Sequence, residues 1–148
     1  MKTVLTFAYG SNLDRAQMRE RCPDATPVGR AVLRGYRIAF AGASRRWDGA
    51  GVATLLPARA RTVSGVLYAL SEESLAVLDR FEGHPHVYVR CRVCVTDEWG
   101  RRRFAQAYCL PPQPEAIPAT RYLRKITRAY ERLGFSLKAL EEALGSAA

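Results

Sequence analysis

Apolar positions recur along this chain in two rhythms, one alternating and one helical, and their order predicts the elements. Val4, Leu5, Phe7 and Ala8 form a short buried strand within Thr3 to Ala8. Further apolar runs predict strands over Val28 to Ala41, Gly51 to Leu56, Thr62 to Ala69, Val87 to Asp97 and Arg103 to Leu110. Apolar stripes set among polar residues predict helices over Leu13 to Arg21, Glu72 to Phe81, Thr120 to Leu133 and Leu137 to Leu144. Asp97-Glu98-Trp99-Gly100-Arg101 separates two alternating runs and predicts a hairpin between antiparallel neighbours. Pro111, Pro112, Pro114 and Pro118 predict an extended crossing connection, because proline removes a backbone donor and disfavours helix at the residue before it. The pattern alone predicts an α+β fold with a mainly antiparallel sheet. At 148 residues, 48% of them hydrophobic, the chain is expected to form one domain over residues 1–148.

Two places carry chemistry. In Phe7-Ala8-Tyr9-Gly10-Ser11-Asn12-Leu13 a strand runs into a small-residue turn and then a polar amphipathic segment. Gly10 permits close backbone approach, Ser11 or Asn12 is suited to cap a helix starting near Leu13, and free N–H groups there attract carboxylates or oxyanions. A capped helix with no ligand has the same local signature. The second place is Glu82. Ser71 caps a helix with Glu72 and Glu73 in its first turn, Leu75, Leu78 and Phe81 form its inward stripe, and Gly83 terminates it. A carboxylate at that end meets the negative end of the helix dipole, and burial beside Phe81 would further disfavour its charged form, both effects raising its pKa; an isolated glutamate there otherwise reads as an exposed helix-end residue.

Composition narrows the remaining choices. A formal charge of +9 makes nucleic acid a candidate partner, but the basic residues are dispersed and no RNA- or DNA-binding motif accompanies them. Arg101-Arg102-Arg103 reads as the solvated side of a hairpin. The opening apolar run is too short for a signal peptide, and no stretch is long enough to span a bilayer, so a cytoplasmic protein without a membrane partner is expected. Cys22, Cys91, Cys94 and Cys109 lack the spacing of a secreted disulfide framework. Cys91 and Cys94 have C-x-x-C spacing but fall on an alternating run, where their sulfurs face opposite sides and serve as small buried side chains. His84-Pro85-His86 beside Glu82 invites a metal reading, but the tight spacing lacks a coordinating geometry, and a surface loop contacting the leaving group is expected instead. Ser11 has no nucleophile-elbow pattern around it. No metal and no cofactor are expected.

The heptapeptide Phe7 to Leu13 resembles the N-terminal signature of the γ-glutamylcyclotransferase family. The likeness continues through Trp47-Asp48-Gly49-Ala50-Gly51-Val52-Ala53-Thr54-Leu55, similar to an aromatic-glycine loop entering a strand, and Gly65-Val66-Leu67-Tyr68. Leu78-Asp79-Arg80-Phe81-Glu82-Gly83 resembles the segment holding the catalytic glutamate, and Pro118-Ala119-Thr120-Arg121-Tyr122-Leu123 resembles a Pro-x-x-x-Tyr segment whose tyrosine helps close the pocket. The resemblance implies a small mixed, mainly antiparallel β-barrel with flanking helices and a pocket at one end. It implies that an L-γ-glutamyl amide is converted to 5-oxoproline and free amine by attack of its own α-amine, without a cofactor. Glu82 would shuttle the proton; Tyr9, Gly10, Ser11, Asn12, Leu13 and Tyr122 would hold the substrate. Relatives in this fold family also cleave γ-glutamyl-lysine amides or remove a γ-glutamyl protecting group in a biosynthetic pathway, and the Trp47 to Leu55 segment favours the amino-acid branch. A non-catalytic metabolite-binding domain is the alternative of a different class, and a homodimer stays open.

Overall fold

The computed structural model describes residues 2–148. Five strands, β1 (Thr3–Ala8), β2 (Thr26–Ser44), β3 (Ala50–Ser71), β4 (Val89–Asp97) and β5 (Arg102–Cys109), close a barrel in the order β1-β3-β2-β4-β5. All neighbours are antiparallel except β5 and β1, whose parallel pairing of Thr6 with Gln106 closes the ring. The expected mixed, mainly antiparallel barrel is therefore present.

The two strands expected over Gly51 to Leu56 and Thr62 to Ala69 are one continuous strand of 22 residues, β3. Pro57 and the polar run after it break the alternation of the sequence, but the ladder absorbs them as an irregularity. Tyr36 pairs with Pro57 and Arg34 with Thr62, with Gly35 at φ 85° opposite the extra residues. The β4–β5 hairpin forms where expected and is held by Asp97. Its buried carboxylate accepts the N–H groups of Trp99 (3.0 Å) and Arg101 (2.9 Å) and the Arg101 guanidinium (3.1 Å).

Helices α1 (Arg15–Arg21), α2 (Glu72–Glu82), α3 (Thr120–Leu133) and α4 (Lys138–Ala147) flank the barrel. α3 buries Tyr122, Ile126, Ala129 and Tyr130, a stripe at helical spacing, and α4 lays Leu140 and Ala143 inward with its contacts on β2. Phe40, Ile38, Leu67, Leu70, Leu13 and Ile126 are among the completely enclosed side chains. The proline-rich connection is extended as expected and is stitched to the barrel by bridges from Glu115 to Ala41 and from Pro118 to Gly51.

Candidate active site

Chain geometry brings Glu82 and the first turn together. β3 runs antiparallel to β1 and ends with Ser71 beside Thr3, at the start of β1. The Ser71 hydroxyl accepts the N–H of Ser74 (3.1 Å) and so starts α2 at that point. An 11-residue helix advances ~16 Å, matching the ~16 Å that β1 covers from Thr3 to Ala8. Glu82 therefore arrives beside the turn that follows β1. Gly83, at φ 71°, stops the helix there, its N–H bonded to the carbonyls of Arg80 and Asp79.

The turn differs from the expected capped helix. Ser11–Leu13 is a single 3-10 turn, and the α-helix begins only at Arg15, capped by Asp14, whose carboxylate accepts the Ala16 N–H (3.1 Å). Ser11 and Asn12 are thereby released from capping. Asn12 Nδ2 donates to Glu82 Oε1 at 2.8 Å, while Gln17 Nε2 donates to Ser11 Oγ and Asn12 Oδ1, each at 3.0 Å. The Arg21 guanidinium donates to Asn12 Oδ1 (3.1 Å) and Glu82 Oε1 (3.4 Å) and lies over the Phe81 ring, 5.1 Å from its centroid. Leu13 is fully buried and its N–H goes to the Gly10 carbonyl, so this residue anchors the turn. Among the described residues the N–H groups of Ser11 and Asn12 have no protein acceptor.

Glu82 is only 11% exposed at its side chain, and its pKa is raised, chiefly by burial. Arg21, the Asn12 amide and Arg46 act in the opposite direction by favouring the carboxylate, and Asp79 adds a smaller upward push. The result is a carboxyl whose proton affinity exceeds that of an ordinary glutamate and which still has a cation and an amide to stabilise it when charged.

Aromatic residues complete the surroundings. Tyr9 is buried, its hydroxyl donating to the Tyr108 carbonyl. The Tyr122 hydroxyl accepts the Ala53 N–H at 2.9 Å, and the Tyr88 hydroxyl donates to the Ala53 carbonyl at 2.7 Å, so two tyrosines clamp one residue of β3 through its two flanking peptides. Burial raises the Tyr122 pKa to about 12, so its hydroxyl stays protonated at neutral pH. Behind Glu82, Asp79 accepts the Tyr108 hydroxyl (2.6 Å) and the Arg90 guanidinium (3.2 Å). Ser11, Glu82, Tyr88 and Tyr122 form the wall between two spaces, a narrow pocket of about 30 Å³ under Tyr9 and Gly10 and a wide cleft of about 910 Å³ toward α1, the β2–β3 turn and Val87.

The structure thus gathers Glu82, Tyr9, Gly10, Ser11, Asn12 and Tyr122 around one wall, with Leu13 behind it. Sequence reading missed Arg21, Tyr88, Tyr108 and Asp79 as site components. The chief signal available was Asp79 in the same helix one turn before Glu82. His84 turns inward to accept the Arg90 N–H (3.0 Å) on Nδ1, and His86 is exposed at the cleft. Among the described residues no three His, Cys, Asp or Glu side chains gather as a metal ion requires. The expectation that Cys91 and Cys94 are both buried fails, because Cys94 faces solvent on the outer side of the barrel. Cys91 is half-buried with its Sγ 3.1 Å from that of Cys109 on the neighbouring strand. No helix among the described residues is long and apolar enough to cross a membrane.

A buried carboxyl of raised proton affinity lies beside backbone N–H groups without a protein acceptor and opens on a roomy cleft, an arrangement of the kind that acid–base chemistry on a small molecule requires. The family model described as gamma-glutamyl cyclotransferase, AIG2-like, matches residues 6–125, and the chain belongs to that family. It is an enzyme of the gamma-glutamylcyclotransferase type. A gamma-glutamylcyclotransferase of Mus musculus is 29% identical over 95% of this chain and 80% of its own length. A solved gamma-glutamyl cyclotransferase structure superposes with a TM-score of 0.87 at 26% identity, covering 99% of this chain and 89% of the other. YkqA of Bacillus subtilis superposes with a TM-score of 0.79 at 28% identity, over 99% of this chain and 56% of its own.

Proposed function

We propose that this chain converts an L-γ-glutamyl amide to 5-oxoproline and a free amine, with Glu82 as the proton shuttle. The substrate's α-nitrogen attacks its own γ-carbonyl, a new C–N bond closes the five-membered ring, and the original amide C–N bond breaks. The α-ammonium gives one proton to Glu82 before attack and a second as the ring closes, while the departing nitrogen takes up two and leaves as an ammonium. Atoms and charge balance with no water or redox partner consumed. A carboxylate with a raised proton affinity is suited to both transfers. The observation that carries this reading is the Asn12–Glu82–Arg21 cluster at the wall between pocket and cleft.

The narrow pocket has room for about one water molecule, so the folded glutamyl chain would lie at its mouth, not wholly within it. The N–H groups of Ser11 and Asn12 supply donors for a glutamyl carboxylate or for the oxyanion that develops on ring closure. Gly10 keeps the backbone accessible, and Tyr9 and Tyr122 shape the walls. Such holding has a large effect, because a flexible chain closes a ring only when its amine is kept over the carbonyl.

The test is direct detection of 5-oxoproline across γ-glutamyl amino acids, γ-glutamyl amines and larger γ-glutamyl conjugates. Product from at least one class, with no net water uptake, is expected. Binding across the panel without turnover would instead favour a metabolite-binding domain and overturn the catalytic role of Glu82.

A further inference from the structure

Two cysteine sulfurs meet where the register of the last two strands brings them together. Val89 pairs with Cys109 and Cys91 with Ala107, so Cys91 and Cys109 stand one diagonal step apart on the same face of the β4–β5 ladder. That face carries Val93, Val95, Ala105 and Ala107 into the core, and the two cysteines sit at its end, half-buried. Their Sγ atoms are 3.1 Å apart, whereas Cys94, three residues after Cys91, faces the other side of the strand and solvent. Cys22 is buried and gives its S–H to the Ser74 carbonyl at 3.4 Å, and burial pushes its pKa up to about 11.

The pair is polarised. The S–H bond from Cys109 favours the Cys91 thiolate and holds it below the ordinary cysteine range, while the same bond and burial push Cys109 up. A part-exposed thiolate with a second thiol beside it to resolve the first oxidation product is the arrangement that reacts with peroxides. A disulfide bond of about 2.05 Å requires the two sulfurs to close by roughly 1 Å from their 3.1 Å separation. The residues next to them belong to the surroundings of Glu82. Arg90 and Tyr108, paired across the same two strands, directly precede Cys91 and Cys109 and hold the Asp79 carboxylate at 3.2 and 2.6 Å, one turn of α2 before Glu82. The Tyr108 carbonyl, joined directly to Cys109, accepts the Tyr9 hydroxyl.

We propose that Cys91 and Cys109 are a site of reversible oxidation by hydroperoxides, and that the disulfide they form slows the reaction at Glu82. The Cys91 thiolate attacks the peroxide, the O–O bond breaks, and the departing oxygen takes a proton from solvent, leaving a sulfenic acid on Cys91. The Cys109 thiol then attacks that sulfur, the S–O bond breaks, and water leaves. The two sulfurs together give up two electrons, and the peroxide bond accepts both. Closing the sulfurs shifts the Arg90–Tyr108 pair, and with it Asp79 and the anchor of Tyr9. Only the effect on turnover rests on the cyclisation reading above.

The experiment treats the reduced full-length chain with hydrogen peroxide in small molar excess, maps disulfide-linked peptides by mass spectrometry and measures 5-oxoproline release from γ-glutamyl-alanine. Two of the four thiols should be lost, with Cys91 and Cys109 joined in one linked peptide, and dithiothreitol should restore all four. On oxidation kcat should fall by about tenfold, since a misplacement of about 1 Å remote from the chemistry can cost ~10²-fold, and it should return on reduction. Cys109→Ser should stop at a sulfenic acid on Cys91 that a 1,3-dione traps. Cys91→Ser, or Cys91→Ala if the serine variant is insoluble, should keep its kcat through the peroxide treatment, which separates the bridge from oxidation elsewhere. Absence of the Cys91–Cys109 peptide, a bridge that leaves kcat unchanged, or an equal loss of kcat in the Cys91 variants overturns the proposal. Absence of 5-oxoproline from the reduced protein across the wider panel overturns the cyclisation reading and the effect on turnover with it, while the peptide map still confirms or refutes the oxidation site.

Discussion

Replacing Glu82 with glutamine separates chemistry from architecture, because the two effects have different magnitudes. Glutamine keeps Oε1, so the Asn12 donor at 2.8 Å and the Arg21 donor at 3.4 Å retain an acceptor. Arg21, whose side chain is 10% exposed, loses its counter-charge, and breaking one side of a buried pair costs about 3–5 kcal/mol when nothing compensates. Here Asn12 Oδ1 and the Phe81 face still hold the guanidinium, and a carboxylate whose ionisation burial disfavours has been removed. The net change in stability should stay below about 2 kcal/mol, or a Tm change below about 8 °C for a chain of this size. Loss of the proton shuttle should lower kcat by about 10²–10⁴-fold. Thermal unfolding, calorimetric binding of a γ-glutamyl amino acid to the variant, and 5-oxoproline release together measure the three quantities. A folded Glu82→Gln protein turning over within about threefold of the unmodified rate would refute the proton-shuttle role.

Arg21→Met removes a cation that favours the ionised form of Glu82, so the Glu82 pKa should rise further and the acid limb of the kcat/KM profile should move to higher pH. Arg21→Lys should restore most of the position, and a limb that stays put or moves down would show that Glu82 is not the titrating base. Gly10→Val places a Cβ 3.0 Å from Ala53 Cβ and 3.9 Å from the Tyr122 hydroxyl, at an overpacking cost of about 1–3 kcal/mol. Measured in the Glu82→Gln background, it should weaken binding of every γ-glutamyl substrate alike, with Ser11→Ala milder; equal affinity would put the glutamyl site elsewhere. Tyr122→Phe leaves the buried Ala53 N–H without its acceptor, a cost of about 1–3 kcal/mol, readable as a Tm drop of several degrees. An unchanged Tm would mean that the Ala53 clamp does not depend on this hydroxyl.

What the sequence disclosed depended on whether a residue's role was local. The short apolar run of β1, the alternation in β5, the Ser71 cap of α2 and its Gly83 stop are decided within a few residues and form as read, whereas Phe81, read into the inward stripe of α2, is 43% exposed at the cleft and only Leu75 and Leu78 are buried. β3 was split because Pro57 and its polar successors end a local alternation. Only the opposing strand, with Gly35 in a bulge, reveals that the ladder continues through them. Asn12 illustrates the same limit. An asparagine after a strand is a ready helix cap, but here Asp14 takes that role and Asn12 turns to a carboxylate 70 positions away. Arg21 and Tyr88 left no trace for a related reason. One reads as a basic residue at a helix end and the other as the start of a strand, and their meaning exists only once the barrel has closed.

That closure also divides the labour of the site. The register of β1 against β3 and the length of α2 set where Glu82 meets Asn12, so the acid–base pair depends on the regular part of the fold. Arg45 and Arg46, which line the wide cleft, sit on the tip of the β2–β3 hairpin, a turn of residues 45–47 that Trp47 ties to Tyr122. Changes in that tip alter charge at the cleft without disturbing the ladder that positions the carboxylate. Glu82 and the cationic rim of the cleft are thus carried by separable segments. For this reason variants in that tip should leave the position of Glu82 intact, whereas Glu82 variants should abolish release whatever the amine.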